Sequence, residues 1–214
     1  MFNIEKYKEI QEFLIKNKKK TKIVSISKNH PQKSVLEAIK FGVTIFGENR
    51  VNEAKNKFDN IIKNYPNIEL HLTGPLQSNK VKDALSIFHT FHTLDREKIA
   101  QEFAKNINLL GNKKIFIQVN TGREETKSGI YPENLNDFKN FCLNDLKLNI
   151  VGLMCIPPIL EDPTNHFKTL QQLAIKNNLK ELSIGMSGDY LSALEFNPTY
   201  IRLGTTLFGQ REWK

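Results

Sequence analysis

Residues 150–156 read IVGLMCI, seven positions with no charge and no polar side chain beyond the thiol of Cys155. A strand with one wet face alternates apolar and polar residues. A strand apolar on both faces is covered on both, as in a parallel sheet layered with helices. Parallel neighbours need a long crossover rather than a hairpin turn. Just downstream, TNHFKTLQQLAIKN (164–177) repeats apolar residues at spacings of three and four, the pattern of an amphipathic helix.

The same strand-then-helix unit recurs in both directions. KIVSIS (22–27), VTIFG (43–47), IELHLT (68–73), FHTFHT (88–93), KIFIQVN (114–120), ELSIG (181–185) and YIRLG (200–204) bring the strand candidates to eight. Between them lie SVLEAIKF, ENRVNEAKNKFDNII, DREKIAQEFAKNI and PENLNDFKNFCL, with Asp95 and Pro132 at expected helix starts. Eight units of roughly 25 residues predict a single (β/α)8 TIM barrel, preceded by an extra N-terminal helix. The rival, a doubly wound open sheet, has fewer strands and a Gly-rich first turn, whereas the first turn here reads SKNHPQ. With no linker or low-complexity stretch, residues 1–214 are expected to form one domain.

Composition narrows the class. A chain of 214 residues with 39% hydrophobic residues and 14 Phe spread along its length can bury a substantial core without a covalent staple. Cys142 and Cys155 are too few for a disulfide framework, which predicts a reducing cytoplasm. The start, MFNIEKYKEI, carries charges where a signal peptide needs an apolar core, and no run approaches the ~18 apolar residues of a membrane span. The net charge of +8 comes mostly from scattered Lys, with only five Arg. The densest run, KNKKKTK (16–22), closes a helical pattern, where cations complement the negative end of the helix dipole. It reads as a solvated face rather than a nucleic-acid site.

In a parallel barrel the functional residues sit at the C-terminal ends of the strands. Those positions include Lys28, Asn49, Gly74, Asn120, Met154, Ser187, Arg202, Gly204 and Thr205. Lys28 shares a face with Val24 and Ile26. It is either a surface Lys or, with its pKa lowered by a desolvated mouth, an amine able to form an imine. GMSGDY (185–190) and RLGTTLFG (202–209) place Ser187, Gly204 and Thr205 at two adjacent helix starts. The hydroxyls there either cap the helices or, with the backbone N–H groups, form the phosphate site that recurs after barrel strands 7 and 8. Arg202 lies inside an apolar strand, where it either turns outward to a carboxylate or donates inward to an acceptor such as a ring nitrogen. An amine facing a phosphate cup and an inward Arg suit one cofactor, pyridoxal 5′-phosphate. His89 and His92, three apart on a strand, point to opposite faces and suggest no metal site.

The stretches VSISK, FGENRVNEAKNKF, HLTGPLQSNKVK, IQVNTGREETKSGI, GLMCIPP, LSIGMSGDY and YIRLGTTLFG span nearly the whole chain. In them the sequence closely resembles the pyridoxal-phosphate homeostasis proteins (the YggS or PROSC family). The resemblance implies a barrel like the N-terminal domain of alanine racemase, a Schiff base between the cofactor and Lys28, and phosphate contacts from Ser187, Gly204 and Thr205. It further implies that Asn49, His71, Met154 and Arg202 line the cofactor. Family members often carry Gly where Asn197 stands, and Gly188 replaces a more usual polar residue.

The function implied is intracellular homeostasis of the vitamin B6 cofactor by a monomer that holds it, without substantial turnover, for enzymes that use it. The alternative is a small pyridoxal-phosphate-dependent amino-acid racemase. Racemisation needs a base on each face of the Cα carbon. The relatives that racemise supply the second from a β-domain, whereas this sequence ends at FGQREWK, ten residues after Gly204.

Overall fold

The computed structural model describes residues 1–210. All eight expected strands form: β1 Lys22–Ile26, β2 Ile45–Glu48, β3 Glu69–Leu72, β4 Thr90–Leu94, β5 Lys114–Gln118, β6 Ile150–Met154, β7 Glu181–Ser183 and β8 Tyr200–Leu203. Each pairs in parallel with its successor, and β8 pairs with β1 from Tyr200 opposite Lys22 to Leu203 opposite Ser25. The sheet is therefore a closed barrel in sequential order, with no edge left to solvent.

The extra N-terminal helix is α1, Ile4–Lys16; the side chain of Asn3 caps it by accepting from the N–H of Lys6. Its start is joined to the last unit of the fold, where the Asn3 N–H donates to the Leu207 carbonyl and the rings of Phe2 and Phe208 meet edge to face. The crossovers carry α2 Gln32–Lys40, α3 Val51–Asn64, α4 Val81–Ile87, α5 Glu97–Lys105, α6 Ile107–Leu110, α7 Leu135–Asn140, α8 Pro163–Lys176 and α9 Tyr190–Ala193, and α10 Thr205–Phe208 follows β8.

Three local expectations shift. β2 begins at Ile45 rather than Val43 because Val43 belongs to the end of α2. Its N–H reaches back to the Ala38 carbonyl while that of Gly42 bonds Ile39, a Schellman motif with Gly42 at φ +85°. PENLNDFKNFCL is not one helix but a 3-10 turn, then α7, then a wider turn over Phe141–Asp145 in which the Leu146 N–H bonds the Phe141 carbonyl. Asp95 does not cap α5; its carboxylate pairs with Arg96.

The apolar core is in two parts. The larger lies between barrel and helices, while Val24, Ile26, Phe116, Met154 and Tyr200 fill the barrel itself. At the seam between β6 and β7 a Cβ added to Gly152 would overlap the Glu181 carbonyl, so the two backbones meet at a distance only glycine permits. Gly152→Ala is expected to cost about 1–3 kcal/mol through overpacking, a fall of roughly 2–12 °C in Tm, measured by thermal unfolding.

Candidate functional site

The strand ends converge on a cavity of about 240 Å³. Lys28 enters from beyond β1, Asn49 from β2, Thr73 from β3, Ile156 from β6, Ser187 from the loop after β7, and Arg202, Gly204 and Thr205 from β8 and the start of α10. A neighbouring hollow of about 310 Å³ shares Asn49, Thr73 and Ile156 with it. Gly74 and Asn120 line that neighbouring hollow, and six of the eight residues that the resemblance assigns to the cofactor share the wall of the first cavity. His71 and Met154 do not: both are fully buried inside the barrel. Because β3 ends at Leu72, the residue it offers to the mouth is Thr73, and His71 lies one layer deeper, level with Gly47 and Thr90. Ile156 holds the corresponding place after β6. Lys80 lies on the far side of Asn49, in a separate hollow with Arg50, Gln77 and Arg96.

Ser187 joins the loop after β7 to the start of α10. Its Oγ accepts the N–H groups of Gly204 and Thr206, both at 3.2 Å. The helices behind these groups, α9 and α10, are only four residues each, so the expected pair of helix dipoles shrinks to two single turns. What the site offers an anion is the hydroxyls of Ser187 and Thr205, with the Gly204 and Thr206 N–H groups holding Ser187 Oγ in place. Gly188 faces open space, and Asn197 adopts the left-handed conformation at φ +49° that a Gly would also supply.

Arg202 points inward. Its Nη1 donates to the carbonyl and Oγ of Ser183, at 2.6 and 2.8 Å, and Nη2 to the Cys155 carbonyl at 3.0 Å. Burial lowers its pKa, yet a guanidinium stays charged in any protein setting. All three acceptors are neutral, and among the described residues no carboxylate pairs with this buried cation. A polar column continues below it. The Ser183 hydroxyl meets His92 Nδ1 at 2.7 Å, His92 Nε2 meets His71 Nδ1 at 3.0 Å, and His71 Nε2 faces Glu69 at 3.5 Å. With Ser183 accepting from Arg202, its own proton goes to His92. Both imidazoles then carry hydrogen on Nε2, each donating to the next group down. Burial holds both histidines below the ordinary pKa, His92 well below, with His71 and Arg202 adding to the effect; the Glu69 carboxylate works the other way on His71.

Thr73, Ser183 and His92 were not singled out by motif. Strand alternation was the available signal, since it turns Ser183 and His92 to the same interior as Arg202 and His71. His89, by contrast, points away and accepts the N–H of Leu70. Cys155, at the end of β6, has its thiol pushed up to about 12 by burial and is unactivated.

Residues 4–212 match the family model described as the alanine racemase N-terminal domain. A pyridoxal phosphate homeostasis protein of Aquifex aeolicus is 36% identical over 90% of this chain and 88% of its own length. One from Escherichia coli is 31% identical over 89% and 86%. The chain belongs to the pyridoxal phosphate homeostasis protein family. Among solved structures, PipY of Synechococcus elongatus with PLP bound superposes with a TM-score of 0.84 at 30% identity, covering 96% of this chain and 99% of PipY. Alanine racemase of Acinetobacter baumannii, at 15% identity and a TM-score of 0.69 over 56% of its length, shares the fold.

In this homeostasis-family barrel the interior histidines couple stability to pH. Their folded pKa values lie below the ordinary 6.5, so as pH falls the unfolded chain takes up protons before the folded one does. Their contribution is complete above about pH 6.5 and is lost towards the depressed folded values, at up to about 1.4 kcal/mol per pH unit for each histidine. Urea unfolding of the wild type is expected to weaken more steeply between about pH 6.5 and 5 than that of His92→Gln, which keeps a polar side chain but does not titrate. Parallel slopes would show that His92 has no part in it.

Proposed function

We propose that this chain holds pyridoxal 5′-phosphate as a Schiff base on Lys28 and keeps it in reserve for enzymes that use it, as a cytoplasmic monomer without turnover of its own. One observation carries the reading. Lys28, the donors around Ser187, Gly204 and Thr205, and an inward Arg202 without a carboxylate all line a single cavity. The three groups match the cofactor's aldehyde, phosphate and ring nitrogen. When bound, the cofactor would supply an aldehyde that captures amines reversibly, and Lys28 would hold it through Nζ.

The protein's own groups favour holding over turnover. An Arg at the pyridine nitrogen leaves that nitrogen unprotonated, which makes the ring a weaker electron sink than one paired with a carboxylate. Among the described residues of the cavity wall, Lys28 is the one amine; the others offer amide, hydroxyl, thioether, hydrocarbon and guanidinium groups. Racemisation requires a second base on the opposite face.

Borohydride is expected to fix the cofactor to the peptide that contains Lys28, and Lys28→Ala to abolish the visible absorption of the bound form. A band that survives in Lys28→Ala overturns the assignment. In heavy water L-alanine is expected to keep its optical activity; turnover near about 1–10³ per second would establish the racemase instead.

Ser187→Ala removes a hydroxyl and leaves two N–H groups without their acceptor. A charge-assisted hydrogen bond contributes about 1.5–3 kcal/mol, so affinity for the cofactor is expected to fall about ten-fold or more. Equilibrium dialysis with pyridoxal, which lacks the phosphate, gives the control: wild type and Ser187→Ala are expected to bind it equally weakly.

A further inference from the structure

A buried ionic cluster lies behind the first strand turn, outside the cavity. Lys57, on the inner face of α3, is buried, and its Nζ donates to three acceptors: the Ser27 carbonyl at 2.7 Å, Glu48 Oε1 at 2.8 Å and Glu53 Oε1 at 3.0 Å. Glu48, the last residue of β2, is fully buried and also accepts from the Ser27 hydroxyl at 2.7 Å. Glu53 Oε1 also accepts the backbone N–H of Asn29 at 2.6 Å. Ser27 and Asn29 are the two residues that flank Lys28.

Such a cluster is costly. Glu48 and Lys57 leave water and Glu53 does so in part, Glu48 Oε2 has no hydrogen-bond partner, and burial pushes the Glu48 carboxyl up. Apolar side chains could fill the same space at lower desolvation cost, so the arrangement calls for a reason beyond stability. The turn it grips is a demanding one. It is closed by the His30 N–H on the Ser27 carbonyl at 3.1 Å, with Asn29 in the left-handed region at φ +62°. Three of the cluster's contacts fall on the backbone or side chain immediately before and after Lys28.

We infer that Lys57, through Glu48 and Glu53, is a positioning residue for Lys28: the cluster clamps the backbone on both sides of that lysine and so fixes the direction from which its amine enters the cavity. The inference rests on the reading of Lys28 as the amine that captures the cofactor. Lys57 does not line the cavity; its effect reaches the ligand through the Lys28 turn and, by way of Glu48, through the neighbouring wall residues Asn49 and Thr73.

Two ligands separate positioning from general support. Pyridoxal 5′-phosphate can condense with Lys28; pyridoxamine 5′-phosphate keeps the ring and phosphate but carries an amine where the aldehyde was, and reports the cup alone. Misplacing a reacting group by about 1 Å costs up to about 10²-fold, so Lys57→Met is expected to weaken the aldehyde form by about ten-fold or more. Its affinity for the amine form should stay within about two-fold of wild type. Loss of both affinities together would mean that the cluster merely supports the barrel mouth, and no loss of either would mean that Lys28 needs no clamp; each overturns the inference. Should Lys57→Met fail to fold, Glu53→Ala decides by the same pair of affinities. It removes the Asn29 anchor together with one of the three acceptors of Lys57, from a side chain 24% exposed. Equal wild-type affinities for the two ligands would remove the underlying reading of Lys28. A wild-type preference for the aldehyde that survives in both variants would remove the clamp alone.

Discussion

Four residues of β8, Tyr200 to Leu203, pair in parallel with Lys22 to Ser25 of β1. That ladder joins strands from opposite ends of the described chain, and the site exists because of it. Lys28 stands three residues beyond the last pair on one strand; Gly204 and Thr205 follow at once on the other. In an open sheet these would be two distant edges. Register matters as much as closure, because side chains alternate along a strand. A slip of one residue would turn Arg202 out among the helices and bring Ile201 or Leu203 into the mouth.

Closure also creates a problem of polarity. A barrel interior of this size is normally filled by branched apolar side chains. Here Val24, Ile26, Phe116, Met154 and Tyr200 share it with His71, His92, Ser183 and Arg202. Each polar group is satisfied by the next, and the stacked His92 and Phe116 rings, with centroids 4.9 Å apart, carry the column through the apolar layer. The column fixes Arg202 from below; its hydrogen bonds go to neutral acceptors, and the Asp189 carboxylate also acts on its charge. A cation so held favours an electron-rich acceptor on its open side, which is the physical content of its place in the cavity wall.

The strands were legible because a parallel barrel demands the same unit eight times, and an apolar run followed by a period-of-three-and-four segment repeats that demand in the sequence. Where local chemistry competes, the pattern misleads. Val43 is as β-prone as Ile45 but closes the Schellman motif of α2, and Asp95 looks like a cap yet spends its carboxylate on Arg96. For the site, alternation reports a face but not a depth. It turns Lys28, Asn49, His71, Met154 and Arg202 inward alike, and only the strand ends show that His71 and Met154 lie beneath the cavity. The Lys57 cluster was illegible for another reason. Its members at positions 27, 29, 48, 53 and 57 belong to two consecutive units and meet only when α3 packs over β1 and β2.

On the proposed reading, holding and releasing a reactive aldehyde place opposite demands on one lysine. Capture needs the amine aimed at the carbonyl carbon; release needs the bond to reopen to water or to another amine. Asn49, Thr73 and Ile156 also border a second hollow, the side from which water and small amines would approach that bond. The donors around Ser187 would hold the phosphate independently of Lys28, and so would retain the cofactor whether or not it is bonded to that lysine. An enzyme gains rate by closing its site to water and placing acids and bases around the reacting carbon. On the proposed reading, a fixed amine in the cavity wall serves exchange of the held cofactor.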